Sequence, residues 1–157
     1  MGYIISPNGV SIDPLKVDTL LSWAQPHSIH DIQSFLWFAN FYCIFIESFS
    51  GITAPLTKLT QKSTKPFTWT DGAEKSFIHL KKAFTSAPIL AHTNPLDPFI
   101  IETDTSGFAL GAILSQYQED NLLHPVAFYS RKFTLSEINY DIYDKELLAI
   151  ITAFEQW

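Results

Sequence analysis

Asp104 and Glu146 are the two acidic residues whose settings suit chemistry. Asp104 ends the apolar run "FIIETD" and precedes Thr105, Ser106 and Gly107, after which a second apolar run begins. Asp, Ser and Gly reverse a chain between strands because they supply side-chain-to-backbone hydrogen bonds or a positive φ. Asp104 therefore reads either as a turn residue or as a metal ligand held at the rim of a sheet. Glu146 sits three residues after Tyr143 and four before Ile150. Tyr143, Leu147, Ile150 and Phe154 recur at helical spacing, and we assign that stripe to the core. A glutamate at its edge is either half-buried or turned into a cleft, and Lys145 points the opposite way, into solvent. An ionised carboxylate removed from water needs a partner, a path back to solvent, or a cation. Periodicity alone favours a structural or solvent-reaching Glu146 and a turn at Asp104.

Secondary structure has to place these groups. "GYIISPNGVSID" predicts a hairpin turning at Pro7-Asn8-Gly9, and Asp13 followed by Pro14 predicts a capped helix running to Trp23. Ser28-Ile29-His30-Asp31 resembles a capping box, and "DIQSFLWFANFYCIFIESF" predicts one long helix, apolar over most of its circumference. Gly51 and Pro55 are expected to break it before a short helix, "PLTKLTQ". "KPFTW" then leads to an N-terminal signal at Thr70-Asp71 and an amphipathic helix with Phe77, Leu80 and Phe84 on one face. Three prolines among polar turn residues make 88–98 the candidate linker. Beyond it, "FIIETD", "FALGAILSQY" and "HPVAFYSRKF" predict a three-stranded antiparallel meander, and a capping box at Thr134–Glu137 predicts a helix from there to Trp157. The fold class expected is α+β, with a helical unit over 1–87, a linker over 88–98 and a strand-rich unit over 99–157.

Composition narrows the function. With 157 residues, 46% of them apolar, the chain can bury a sizeable core. A net charge of −6 argues against broad electrostatic attraction to nucleic acid, so any such contact has to be local. Cys43 is the only cysteine, which excludes an intramolecular disulfide and favours an intracellular setting, cytoplasmic or nuclear. No apolar run approaches the ~20 residues needed to cross a bilayer, and the start lacks the pattern of a signal peptide, so no membrane partner is expected. Met1 to Ser6 fits the loose template for N-myristoylation, but the reading we prefer makes Gly2 the first residue of a strand.

Longer motifs carry a family resemblance. "ETDTSGFALGAILSQ", "HPVAFYSRKFT" and "NYDIYDKELLAIITAFEQW" resemble the opening of the RNase H domain of gypsy-type LTR retrotransposon reverse transcriptases. "SFLWFANFYCIFIESFSGITAPLTKLTQK" and "PFTWTDGAEKSFIHLKKAFTSAPIL" resemble the thumb and connection that precede it. The resemblance runs over essentially the whole chain in the family's order, and it implies an internal piece of a longer polyprotein. It also implies a partial RNase H-like fold and, as partner, an RNA–DNA hybrid whose RNA strand such enzymes cleave. Asp104 matches the family's metal-binding aspartate on the first strand and Glu146 its glutamate on the first helix, holding magnesium or, in its place, manganese. Magnesium prefers oxygen ligands, and two ions can activate a water and stabilise a leaving oxygen in an in-line displacement. No ligand role follows for Glu102, which reads as an edge charge.

Two departures shape what we expect. The family's remaining catalytic aspartates fall beyond Trp157, so half the metal site is within the chain, and we expect no nuclease activity from it alone and weak metal binding. The sheet is expected to have an unpaired edge and an uncovered face. The thumb-like helix carries Trp37 where the family has a glycine, and Cys43-Ile44 where it has a basic pair, which removes phosphate contacts. Lys81-Lys82 and Arg131-Lys132 remain as basic pairs. The alternatives are a domesticated, non-catalytic protein-interaction module, binding a protein partner or a second copy through the sheet edge, and an RNase H active only when a partner chain complements it.

Overall fold

The N-terminal hairpin forms as its turn residues predict. In the computed structural model, which describes residues 2–61 and 67–157, β1 (Tyr3–Ser6) pairs antiparallel with β2 (Gly9–Ile12), Ser6 lying opposite Gly9. Gly9 adopts a φ of 131°, and a Cβ there would strike the Leu90 carbonyl. That close approach lets Val10 and Leu90 exchange two N–H···O bonds of 2.8 Å each. Met1, which opens the myristoylation template, and Lys65-Pro66 of "KPFTW" lie outside the described residues. Gly2 is buried against the Tyr42 ring.

Four helices follow. α1 (Pro14–Leu21) is capped by Asp13, whose carboxylate accepts from the Leu15 N–H at 2.9 Å. The Lys81 ammonium donates to the carbonyls of Leu21, the last residue of α1, and of Trp23 just past it, and lies 4.4 Å from the centre of the Phe77 ring. α2 (Ile29–Asn40) starts on Ser28, whose hydroxyl accepts from the Asp31 N–H while the Asp31 carboxylate accepts from the His27 N–H. The long helix expected from here does not continue. The chain leaves α2 at Asn40, makes a 3-10 turn at Cys43–Phe45, passes Ser48 with φ 53° and begins α3 (Phe49–Leu59). A straight helix that is apolar all round cannot bury every face; the break turns Tyr42, Phe45, Ile46 and Phe49 inward together. Gly51 and Pro55, expected as breakers, lie inside α3. Pro55 removes the bond to the Gly51 carbonyl, a tolerable loss because Gly51 is exposed. α4 (Asp71–Thr85) is capped by the Thr70 hydroxyl and buries Phe77, Leu80 and Phe84 as its periodicity predicts.

The meander is β3 (Phe99–Thr105), β4 (Ala109–Tyr117) and β5 (Leu123–Lys132), antiparallel with β4 in the centre. Residues directly opposite share a face. Gly111, Ile113, Phe128 and Ser130 turn toward α3, where Phe128 joins the buried cluster of Phe35, Phe45, Leu80 and Leu90. Ser50 in the first turn of α3 donates its N–H to the Ser130 hydroxyl at 2.8 Å, and its own hydroxyl donates to the Ser130 carbonyl at 2.9 Å. Leu110, Tyr129 and Arg131 turn the other way, toward α5 (Ile142–Gln156). Both faces of the sheet are therefore covered, contrary to the uncovered face expected. The edge of β3 away from β4 pairs with no strand among the described residues. The mixed helix-and-sheet architecture is the α+β class expected.

Residues 88–98 are held on both sides. Leu90 bonds the hairpin, the Ala91 N–H donates to the Pro125 carbonyl, and the buried Gln116 side chain reaches across. Its amide donates to the carbonyls of Asn94 and Asp97 at 2.8 and 3.0 Å, and its oxygen accepts from the Asn94 N–H at 2.9 Å.

α5 departs from expectation twice. The Thr134–Glu137 capping box forms, with the Glu137 carboxylate accepting from the Thr134 N–H at 2.7 Å, but it starts only a 3-10 turn at Glu137–Asn139. Tyr140 is extended, and Asp141 caps the helix anew by accepting from the Asp144 N–H. The stripe assigned to the core then faces outward: Tyr143, Leu147, Ile150 and Phe154 are exposed, and Ala149, Thr152 and Ala153 are buried. Small residues let the helix lie close on the bulky Leu110, Tyr129 and Phe133; on a helix apolar on both sides, period alone does not say which side is inward. Lys145, expected in solvent, is half-buried with its ammonium 5.7 Å from the centre of the Phe133 ring.

An Arg131–Glu137 clip fixes the approach to α5. The guanidinium donates to both Glu137 oxygens, at 2.8 and 3.1 Å, and lies 3.5 Å from the Thr152 hydroxyl. These bonds and the Thr134 N–H hold the Glu137 carboxyl well below its ordinary value, at about 2. A depressed folded-state pKa contributes stability that is present above the unfolded value of 4.5 and is lost as pH falls toward about 2. Urea midpoints should therefore decline over that window, and Glu137→Gln should lower stability at neutral pH while flattening the decline. Gln116→Leu should cost roughly 2 kcal/mol by urea unfolding, because it strands three backbone groups, and should quicken proteolysis within 92–98.

Candidate functional site

β3 brings Asp104 to its C-terminal end, opposite Gly111. Strand alternation turns its side chain toward α3 and α4, into a cavity of about 300 Å³ that also receives Ser48, His79, Ser106 and Ser130. A smaller cavity of about 80 Å³ adjoins it, lined by Glu47, Glu102 and Asp104. The Asp104 carboxylate is exposed and has no hydrogen-bond or ion-pair partner among the described residues. The turn reading is also satisfied, by its neighbour: the Ser106 hydroxyl accepts from the N–H groups of Phe108 and Ala109 and donates to the Ala109 carbonyl. With Ser106 making the turn, Asp104 is left without a structural task. His79 was not singled out from the sequence; it lies outside the buried stripe of α4, and only the docking of α4 beside the end of β3 brings it to the cavity.

Glu146 is exposed on α5, just outside the sheet-facing side formed by Ala149 and Ala153. α5 covers the face of the sheet opposite to the one Asp104 looks from. The two carboxylates thus lie on opposite sides of the sheet. Their oxygen donors, with serine hydroxyls close to Asp104, suit a hard divalent ion. Among the described residues no group of three or more His, Cys, Asp or Glu is arranged to hold a metal. Two carboxylates are too few protein ligands for a two-ion centre.

The basic pairs differ in availability. Lys81 is spent on the end of α1 and Arg131 on Glu137, which leaves Lys82, exposed on α4, and Lys132, whose ammonium pKa is lowered by burial. Lys132 borders an open groove of about 530 Å³ between α2, α3 and β5, together with Gln33, Asn40, Thr57 and Trp37. Trp37 is 81% exposed. Cys43 and Ile44 both lie in the 3-10 turn, and burial pushes the Cys43 thiol up.

Comparison with known proteins places these features. Residues 69–157 match the model of the RNase H-like domain found in reverse transcriptase, a span that takes in α4, 88–98, the sheet and α5. The chain is 34% identical over 157 residues to the transposon Tf2-3, Tf2-4 and Tf2-5 polyproteins of Schizosaccharomyces pombe (strain 972). The alignment covers 100% of this chain and 12% of each polyprotein, so the chain spans about an eighth of their length. Among solved structures, the foamy viral protease-reverse transcriptase in complex with RNA/DNA hybrid superposes with a TM-score of 0.83 at 22% identity, over 99% of this chain and 21% of that one. The same protein in complex with dsDNA gives a TM-score of 0.85 at 21% identity, over 99% of this chain and 32% of that one. At such identities these structures establish the shared fold. A family model that matches more than half the chain, together with alignment along its whole length to retrotransposon polyproteins, leads to one conclusion: this chain belongs to the family of RNase H-like domains found in reverse transcriptases.

Proposed function

We propose that the chain is the piece of a retrotransposon reverse transcriptase in which a thumb- and connection-like helical unit joins the RNase H-like domain, working inside the cell as part of a longer polyprotein. In this reading it adds a weak contact to an RNA–DNA hybrid and the first two carboxylates of a metal site, Asp104 and Glu146, and has no nuclease activity alone. The observation that carries it is Asp104: an exposed carboxylate at a strand end, with no structural partner among the described residues, beside the open edge of β3. Magnesium or manganese, when bound, would neutralise phosphate charge and polarise a water. Asp104 and Glu146 would hold it, with water completing the shell. Hybrid contact would run along the groove, with Trp37 offering a ring for stacking and Lys132 a phosphate contact. The complexes of the foamy viral enzyme with dsDNA and RNA/DNA hybrid support that partner class.

Manganese-induced broadening of NMR signals tests the metal reading. It should centre on Asp104 and Glu146 and shrink with Asp104→Asn, while a hybrid-cleavage assay of the 157-residue chain stays blank. Broadening that spares both residues contradicts the assignment, and so does cleavage by the unaltered chain that Asp104→Asn abolishes. Binding of a labelled RNA–DNA duplex should be weak and fall with salt, and Lys132→Gln should reduce the slope of log affinity against log salt by about one. Tight binding that persists at moderate salt would refute the weak-contact reading.

A further inference from the structure

Asn8-Gly9 is the one Asn-Gly step in the sequence; Asn40, Asn94, Asn121 and Asn139 precede Phe41, Pro95, Leu122 and Tyr140. Asparagine is chemically labile where the next backbone nitrogen can reach its side-chain carbonyl carbon, and glycine, with no side chain in the way, allows that reach best. Asn8 is exposed at the turn between β1 and β2, and its side-chain amide makes no hydrogen bond among the described residues. The fold also keeps the glycine in place, because at a φ of 131° any Cβ on Gly9 would strike the Leu90 carbonyl. The same close approach ties 88–98 to the hairpin. Val10 and Leu90 exchange their two N–H···O bonds, and His92 Nε2–H donates to the Ser6 carbonyl at 2.7 Å. Ser6 and Val10 flank the Asn8-Gly9 step, so both attachments depend on the length of main chain between them.

We propose that Asn8-Gly9 is a site of spontaneous deamidation whose conversion to isoaspartate frees 88–98 from the hairpin. The Gly9 backbone nitrogen gives up its proton and bonds to Asn8 Cγ. The bond from Cγ to the amide nitrogen breaks, that nitrogen takes a proton and leaves as ammonia, and a five-membered succinimide remains. Water then opens the ring. Attack at the side-chain carbonyl gives aspartate; attack at the main-chain carbonyl gives isoaspartate, in which the chain runs through Cβ and Cγ and the former main-chain carbon becomes a carboxylate. One water enters and one ammonia leaves, and nothing is oxidised or reduced. Isoaspartate adds one atom to the main chain inside the turn, so Gly9 and Val10 no longer meet Leu90 while Ser6 keeps its register. The Gln116 side chain holds Asn94 and Asp97 from the other side, which confines the release to the stretch around Leu90 and His92.

Prolonged incubation of the chain in mildly alkaline buffer, followed by tryptic mapping, tests the modification. The peptide ending at Lys16 should gain the mass difference between an amide and a carboxylic acid, and it should accept label from an enzyme that methylates isoaspartyl carboxylates. Peptides carrying the other asparagines should stay unchanged. Native-state hydrogen exchange tests the consequence: the amides of Val10 and Leu90 should exchange at least about tenfold faster in the converted chain than in the fresh one. Asn8→Asp, which brings the charge without the extra main-chain atom, should keep the slow rates. Asn8→Gln, whose longer side chain closes the ring poorly, should keep them through the same incubation. If the chain stays unconverted while a free peptide of residues 3–12 converts, the fold protects the step and the proposal fails. Conversion that leaves both amides slow would refute the release, and equal loosening by Asn8→Asp would assign the effect to charge and overturn the lengthened turn as its cause.

Discussion

Burial of β4 from both sides is the constraint on which the rest of this structure depends. Its Ile113 looks with Phe128 into the helical unit, and its Leu110 looks with Phe133 at α5. The strand's buried residues are small or aliphatic apart from Ser115 and Gln116, and Gln116 spends its amide on the 88–98 segment. Because Phe128 shares a cluster with Phe35, Phe45 and Leu80, the helical unit and the sheet bury apolar surface against each other. The Ser50–Ser130 pair, which also joins α3 to β5, satisfies polar groups that this packing would otherwise strand.

That packing positions the candidate site. Since one sheet face is committed to α3 and the other to α5, Asp104 and Glu146 lie on different sides of the sheet. The cavity at Asp104 exists because the N-terminal turn of α3 and the outer side of α4 close over the end of the meander. Two basic side chains chemically suited to phosphate, Lys81 and Arg131, instead hold carbonyl oxygens and a carboxylate that keep the elements in place.

Much of this was legible in the residues. The hairpin at Pro7-Asn8-Gly9, the caps at Asp13, Ser28 and Thr70, the core face of α4 and the order of the meander all rest on local chemistry, and all are found. Long motifs carried the family resemblance, because a run such as "ETDTSGFALGAILSQ" specifies more than any single carboxylate. What was not legible has a common cause. The break between α2 and α3 and the inward face of α5 are both choices among several apolar faces, and those are settled by what packs against them. Neither the docking of His79 beside Asp104 nor the diversion of Arg131 to Glu137 leaves a local signal, since each joins groups from different elements.

Native-state hydrogen exchange with and without Phe128→Ala is the most direct test of the shared core. If helical unit and sheet are one cooperative body, the slowest amides of β4 and those of α2 and α4 should open with the same free energy, and the substitution should lower both equally. Were the substitution to loosen β4 while α2 and α4 kept their protection, the two halves would be separate bodies and Asp104 would owe its position to the sheet alone.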